Sequence, residues 1–486
     1  MRKIIYSIAL VSGFFLLPAC SKFTEITPKG SNILNRVSDL DLLMNFDYSY
    51  NGALRDTALA AKTTAQTAFQ AGDAEVLVND IYPRIVNIPN LINTGVKSLD
   101  FALVTYNETV DRKTLAVTDV KYEKLYFIIN NVCNVVLGNA DGASGDRVKA
   151  NQLKAEAYIL RAWFHYLLVN FYAKAYNPAS SATDGGIPYV KEDNIVAVAN
   201  QKSTVAEVYK NILADIDAAF QLNSLPTIPV NNMRVGLSFA YGVKAKVLLS
   251  MRDYPGALSS ANASLTINSA VYNDRQYAPV GVAPFTKPAV TAPENLFYAA
   301  YTIPLLAAPS LEILSNYYEP GNIINDYVKP YYPAGNPFNA IGSKLWFSQA
   351  ATYNVNSGGL TTSDTYLIKA ECLARSGAQQ NLAEAMRIIN QEIRMKRIHQ
   401  DFYAPLSATT EAQAIAILKK VSRIEFLFTY KNFLNIKRWN TEDAYKENIT
   451  RTINGVTYTL RPESPLWIFP FPQSATNYNP NLTQNY

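Results

Sequence analysis

The sequence predicts a mainly α-helical fold, a scaffold of paired helices beside a loop-rich irregular lobe. Three observations carry that prediction. Apolar residues recur at three- and four-residue steps over long stretches, the period of one helix face. Two stretches place alanines and leucines at helical spacing on either side of a tight turn. About residues 267–356 are poor in charge, rich in Pro, Gly and Tyr, and show no sustained period.

In chain order, Leu153, Ala157, Leu160, Phe164, Leu167 and Phe171 form one stripe of a helix within the helical stretch from Lys121 to Phe171. Ser203-Thr204-Val205-Ala206-Glu207 reads as a capping box, with Thr204 as N-cap and Glu207 reaching back to its amide. Val208, Ile212 and Ile216 continue that helix. From Ala240 to Leu265, small residues flank an Arg252-Asp253-Tyr254-Pro255 turn and let two helices approach closely. A second pair spans Tyr366 to Arg397, with Lys369-Ala370-Glu371, a Ser376-Gly377 turn, and Ala383, Ala385, Ile389 and Ile393. Lys154-Ala155-Glu156-Ala157 opens an earlier helix in the same manner. These pairs resemble tetratricopeptide units, degenerate and far apart. A structureless loop as long as 267–356 is foreign to a compact domain. That stretch, like Ala53 to Ala74, reads as an ordered irregular lobe.

The first residues, MRKIIYSIALVSGFFLLPAC, read as a signal peptide: a positive n-region at Arg2 and Lys3, an apolar run too short to span a bilayer, and small Ala19. Leu17-Pro18-Ala19-Cys20 resembles the lipobox of bacterial lipoproteins, which implies acylation of Cys20. No other stretch is apolar enough to cross a membrane. The formal charge of +5 falls to +3 once Arg2 and Lys3 are removed. That is too weak and dispersed for nucleic acid. Cys133 and Cys372 lie among apolar neighbours in helical patterns and read as buried free thiols. The expected organisation is a signal peptide at 1–19 and one body at 20–486. The body comprises scaffold at about 31–266 and 357–440, the insertion at about 267–356 and a closing segment at 441–486.

Landmarks spread along the chain share one resemblance. They are Phe23-Thr24-Glu25-Ile26-Thr27-Pro28-Lys29-Gly30, then Leu160-Arg161-Ala162-Trp163-Phe164-His165-Tyr166-Leu167, Gly186-Ile187-Pro188-Tyr189-Val190 and Ser203-Thr204-Val205-Ala206-Glu207-Val208-Tyr209. Phe469-Pro470-Phe471-Pro472-Gln473 and Asn479-Pro480-Asn481-Leu482-Thr483-Gln484-Asn485 close the series. In order and spacing they resemble the SusD/RagB family of surface lipoproteins. Where that family carries Glu, Arg and Asp before a late Arg-Trp, this chain has Thr429, Asn432 and Asn435 before Arg438-Trp439. Loss of all three charges together avoids leaving one unpaired and buried. The resemblance implies four tetratricopeptide-like helix pairs beside a lobe, an outer-membrane, cell-surface location, and a partner TonB-dependent SusC-like transporter. It also implies capture of an oligosaccharide or polysaccharide ligand, or of peptide in some members, without catalysis.

The residues agree with a binding role. There are only two histidines, His165 and His399, with no HExxH and no spaced Cys/His cluster. Hydrolase elbows, P-loops and dinucleotide fingerprints are missing from the sequence. No cofactor, metal or calcium motif is indicated. His165 falls inside an apolar helix and reads as a satisfied core residue. Glycan binding needs flat apolar faces with polar edges, which tyrosine supplies, and the chain has 32 Tyr against 21 Phe and 4 Trp. Many of these rings fall in the insertion, among them Tyr298, Tyr301, Tyr327 and Tyr353. The ligand-binding candidates there are Trp346, Tyr331, Tyr332, Tyr317 and Tyr318, with Arg55, Asp47, Tyr48 and Tyr50 from the early loop. The competing readings are a peptide ligand on the same fold, a protein-binding envelope scaffold, and a lipid-anchored hydrolase.

Overall fold

The structure is a computed structural model that describes residues 34–49, 68–69, 72–82, 92–194, 198–277, 288–300, 308–323, 355–453 and 455–486. Its described part is mainly helical, as expected, with β-structure confined to short pairs. Cys20, Arg55, Tyr331, Tyr332 and Trp346 lie outside the described residues.

α1 (Val37–Leu43) precedes α2 (Val120–Ile128), which Asp119 caps by accepting from the Lys121 amide. α2 widens into a π-helical turn at Ile129–Cys133 that seats Cys133 in the core. α3 (Arg147–Tyr172) starts where the Asp146 carboxylate accepts from the Val148 and Lys149 amides. The predicted stripe from Leu153 to Phe171 is buried. Its flanks, with Glu156, Arg161, His165 and Asn170, are buried too, as are Ala155, Ala162, Tyr166 and Val169 on the opposite face. α3 is therefore a central helix with neighbours on every side, where the sequence pattern predicted a single packed face.

α4 (Val205–Gln221) carries the capping box: the Thr204 amide donates to Glu207 Oε2 at 2.8 Å, and the Glu207 amide donates to Thr204 Oγ1 at 3.2 Å. Arg161 pairs with Asp215 and Asn170 with Tyr209. Partner numbers fall in α4 as they rise in α3, so the two helices run antiparallel. α5 (Leu237–Ser250) and α6 (Tyr254–Ile267) turn at Arg252, whose φ is +65°, and Asp253 caps α6 by accepting from the Gly256 amide at 3.0 Å. At their far ends Ser238 Oγ donates to Ser264 O at 3.0 Å and Ser264 Oγ donates to Ser238 O at 2.7 Å. Ala245, Ala257 and Ala261 then meet Ile368 and Cys372 of α8 in a second apolar cluster.

Beyond α7 (Leu311–Asn316), α8 (Thr362–Ala374) opens on a second capping box, Thr361 with Asp364. α9 (Gln379–Arg387) follows the Ser376-Gly377 turn, where Gly377 has φ +74°, and runs on through a π-helical turn to Arg397. α10 (Glu411–Glu425) and α11 (Lys431–Trp439) complete the scaffold. The β-pairs fasten connecting segments to it. β1 (Ala68–Phe69) pairs in parallel with β3 (Thr118–Asp119), and β2 (Ile81–Tyr82) pairs antiparallel with β5 (Ala308–Pro309). β4 (Asn295–Phe297) pairs antiparallel with β6 (Leu360–Thr361), which ties the insertion to the start of α8. Asn356 reinforces that tie through Asn295 Oδ1 at 2.9 Å and Phe297 O at 2.7 Å. Gly359 is required there, since a Cβ would stand 1.8 Å from Phe297 O. β7 (Ile449–Ile453) and β8 (Val456–Leu460) form a hairpin.

The closing motifs are structural. The Phe469 amide donates to Phe171 O at 2.9 Å, and Asn485 Nδ2 donates to Tyr172 O and Gly186 O at 2.7 and 2.8 Å. These bonds satisfy carbonyls at the α3 C-terminus that the helix leaves open. Buried Lys437 of α11 adds two more, donating to Asn170 O and Ala173 O at 2.6 Å each. Around that end, Phe171, Phe433, Trp467 and Phe469 stack or tilt against one another.

Thr429, Asn432 and Asn435 are buried. Asn432 Nδ2 donates to Asp80 Oδ2 at 2.7 Å, and Asn435 Oδ1 accepts from Lys246 Nζ at 2.7 Å. The neutral side chains thus keep hydrogen bonds to charged neighbours. Glu371 of α8 accepts several hydrogen bonds at once. Arg438 grips it with two bonds at 2.8 and 2.6 Å, Trp439 Nε1 donates at 3.1 Å, and Arg375 Nε donates at 2.9 Å. Although burial opposes ionisation, Arg438 and Arg375 hold its pKa down at about 2, below the usual 4.5.

Glu371→Ala leaves Arg438 buried without its carboxylate, so urea unfolding should show a loss of about 3–5 kcal/mol. The wild-type pair contributes fully above about pH 4.5, where the unfolded chain's carboxylate is also ionised. Its contribution fades as pH falls toward about 2, the folded-state value. Acid titration of the wild type should therefore be steeper below pH 4.5 than that of Glu371→Gln.

Candidate ligand-binding face

The early loop is placed by a buried cation. Arg234 donates from Nε and Nη2 to the Glu156 carboxylate at 2.7 and 2.9 Å, and from Nη1 to Asp41 at 2.8 Å and Asn45 at 3.1 Å. This fixes the chain just before Phe46. Tyr48 then enters the core, its ring stacked on Phe164 at 5.9 Å and tilted against Phe297 at 5.4 Å. Its hydroxyl donates to Met44 O at 3.2 Å. Tyr48 is thus a core residue that anchors the loop and offers no ligand surface.

With Tyr48 inward, Asp47 is exposed. Asp47 Oδ1 accepts from the Ser49 amide at 2.9 Å, closing an Asx turn. Ser49 Oγ accepts from the Ala300 amide at 3.0 Å, so the early loop is joined to the chain just past β4. Half-buried Phe46 faces Phe127 of α2, ring centroids 6.0 Å apart and planes 33° apart. Phe127 is 48% exposed. Lys124 Nζ lies 4.5 Å from the Phe46 centroid and 3.5 Å from Asp47 O. Partial burial lowers the Lys124 pKa, and the Asp47 charge opposes that shift. Tyr298, half-buried, has its phenol pKa raised by burial and then by Asp47. Phe46 and Phe127 thus form a small aromatic shelf, with Lys124 and Asp47 at its polar edge. Such a surface covers apolar C–H faces and hydrogen-bonds hydroxyls at its rim.

Of the early-loop candidates, Asp47 is exposed beside Lys124, and its charge reaches Tyr298. Tyr317 and Tyr318 follow α7 and pack, half-buried, on the main core. The Arg423 guanidinium lies 4.9 Å from the Tyr317 ring, and a small pocket beside it is lined by Glu319, Arg394, Arg397 and Lys420. Tyr317 therefore stands against α9 and α10, while Asp47 stands against α2. Trp346, Tyr331, Tyr332 and Arg55 lie outside the described residues. Phe46, Lys124 and Phe127 went unnoticed in the sequence. The available signal was that Phe127 interrupts the buried positions of α2 with an exposed ring.

His165 is a satisfied core residue. Its ring stacks on Tyr189 with centroids 3.8 Å apart, Nε2 accepts from the Val190 amide at 3.1 Å, and Nδ1 therefore donates to Arg161 O at 2.9 Å. It fastens Gly186-Ile187-Pro188-Tyr189-Val190 to α3. Gly186 itself lies against Ser203 O, which a Cβ would approach to 2.7 Å. The Cys133 and Cys372 thiols are free and buried, and burial pushes both up to about 12. Among the described residues, no group of three or more His, Cys, Asp and Glu is placed to hold a metal ion. No helix among them is long and apolar enough to cross a membrane.

Two family models match this chain. One, described as starch-binding and associating with the outer membrane, matches residues 80–249, and the SusD family model matches residues 353–486. The chain belongs to the SusD/RagB family. Among solved structures, a SusD superfamily protein from Bacteroides thetaiotaomicron is 18% identical with a TM-score of 0.67, covering 93% of this chain and 100% of its own. A putative sugar binding protein from Bacteroides vulgatus is 17% identical with a TM-score of 0.64, covering 94% and 99%. A SusD-like carbohydrate binding protein from Bacteroides fragilis is 16% identical with a TM-score of 0.63, covering 93% and 99%. No curated protein matches. The likenesses place the SusD fold over nearly the full chain.

Burial lowers the His165 pKa to about 3, from an ordinary value near 6.5. Between these values the unfolded chain binds the extra proton, so the His165 contribution should lower stability as pH drops below about 6.5 and should itself level off near pH 3. NMR of the labelled imidazole should show His165 neutral throughout pH 5–8.

Proposed function

We propose that this SusD family protein captures oligosaccharide or glycan nutrients at the cell surface and passes them to a partner TonB-dependent, SusC-like outer-membrane transporter. Acylation of Cys20 holds it on the outer membrane. It binds without catalysing. The observation that carries this reading is the shelf, where Phe46 and Phe127 face each other beside Lys124 and Asp47. Family membership, and structural neighbours described as a putative sugar binding protein and a carbohydrate binding protein, support it. Trp346, Tyr331, Tyr332 and Arg55 are proposed to extend the same site, and Tyr317 and Tyr318 to line its approach from the lobe. Affinity between millimolar and micromolar, roughly 4–8 kcal/mol, suits a protein whose partner keeps the captured ligand near.

Calorimetry with oligosaccharides, soluble polysaccharides and mixed peptides, with product release assayed in the same samples, tests this reading. Saturable glycan binding without turnover is the expected result. Phe127→Ala and Asp47→Asn should each weaken it about tenfold, with unchanged melting temperature because both side chains are exposed. Alanine at Trp346 and at Tyr331 with Tyr332 tests the proposed extension. Binding to peptides alone would replace the glycan reading, and turnover would overturn the binder.

A further inference from the structure

A second pair of tilted rings with a lysine over it lies on the outer surface of the scaffold. Phe220 near the end of α4 and Tyr241 in the first turns of α5 are both half-buried, with ring centroids 4.7 Å apart and planes 31° apart. Lys244, one turn beyond Tyr241, holds its ammonium 5.5 Å from the Phe220 centroid and 2.9 Å from Asp217 Oδ1. The shelf shares two of these features, a pair of rings tilted by 33° and a lysine over a phenylalanine, but there the lysine reaches the backbone carbonyl of Asp47, where Lys244 pairs with a carboxylate.

The second group differs from mere helix packing in two respects. It lines an open cleft of about 590 Å³, within the roughly 300–1,000 Å³ of small-molecule sites. Its charged pair is also solvated, with Asp217 side chain 55% and Lys244 29% exposed. An exposed pair of that kind adds only about 0–1 kcal/mol to stability. The fold therefore depends little on it, yet it leaves one aspartate oxygen and two ammonium hydrogens to serve ligand hydroxyls. Gln221, Asn223 and Ser224 complete a polar rim of amides and hydroxyl around the rings. Neutral donors and acceptors beside flat apolar faces, with one balanced ion pair, match a neutral pyranose and give no preference to an anion.

We propose that the cleft between the end of α4 and the start of α5 is a second saccharide-binding site, with Phe220 and Tyr241 as the platform and Asp217 and Lys244 as hydroxyl partners. It rests on the glycan reading of the shelf and adds to it that one protein holds a polysaccharide at two places. Linked binding of that kind raises affinity for long chains without new contacts to either end.

The test is calorimetry and affinity gel electrophoresis of the full chain with maltohexaose, soluble starch, laminarin and arabinoxylan. The variants are Tyr241→Ala, Asp217→Ala and Phe127→Ala, each checked by thermal melt. For a polysaccharide that binds, the wild type should show two sites per chain. Tyr241→Ala and Asp217→Ala should each leave one, with polymer retention weakened about tenfold and the site that Phe127→Ala removes intact. Asp217 is exposed, so its variant keeps the test valid if Tyr241→Ala does not fold. One site per chain, with retention unchanged in the folded variants, would overturn the second site and leave the shelf standing. Absence of binding to every polymer would overturn both.

Discussion

Charge buried between helices is the constraint on which the packing depends. Arg161, 2% exposed in the middle of α3, reaches Asp215 of α4 and Glu192 of the following loop. Glu156 on the same helix holds Arg234, which in turn holds Asp41 of α1. Asp364 and Glu371 of α8 take Lys431 and Arg438 of α11, and Asp80 takes Arg423 of α10. A buried charge without its partner costs several kcal/mol, so each pair admits one register between the elements it joins. Helices whose apolar faces are made of similar small and branched residues are thereby prevented from sliding past one another. The Glu156–Arg234 pair extends this control to the surface, because the same guanidinium fixes Asn45 and with it the loop that carries Asp47.

Much of the scaffold was legible in the sequence because its signals are local. The Thr204–Glu207 capping box, the turn at Arg252–Asp253 and the Ser376-Gly377 break each involve residues within a few positions, and each stands where the pattern puts it. The stripe on α3 was legible too. Burial of its flanks was not, because Glu156 and Arg161 look like solvent-facing residues until their partners Arg234 and Asp215 arrive. Nothing local announces such a partner.

The candidate site was legible only in outline. Asp47 carries a residue type that suits a ligand, and its place in a loop drew attention to it. Phe46 and Phe127 come from separate segments, and the relation between their rings arises from tertiary packing alone. Tyr48 shows the opposite difficulty. It has the same composition signal as its neighbours, yet extended-chain alternation turns it inward onto Phe164 and Phe297. Residue type proposes a binding ring, and only the direction of the side chain decides.

The segment that carries Phe469, Phe471 and Asn485 lies across the C-terminal end of α3 and supplies the partners of its last carbonyls. It is made after every helix that it covers. During synthesis, the apolar surface around Phe171 and Tyr172 therefore stays open after α3 and α4 have both been made, and a large part of the core waits for a late arrival. Such an order of assembly lengthens the time during which chaperones or a translocation machinery can hold the chain unfolded. Closure of the molecule is then a single late event, with the tail acting as the latch.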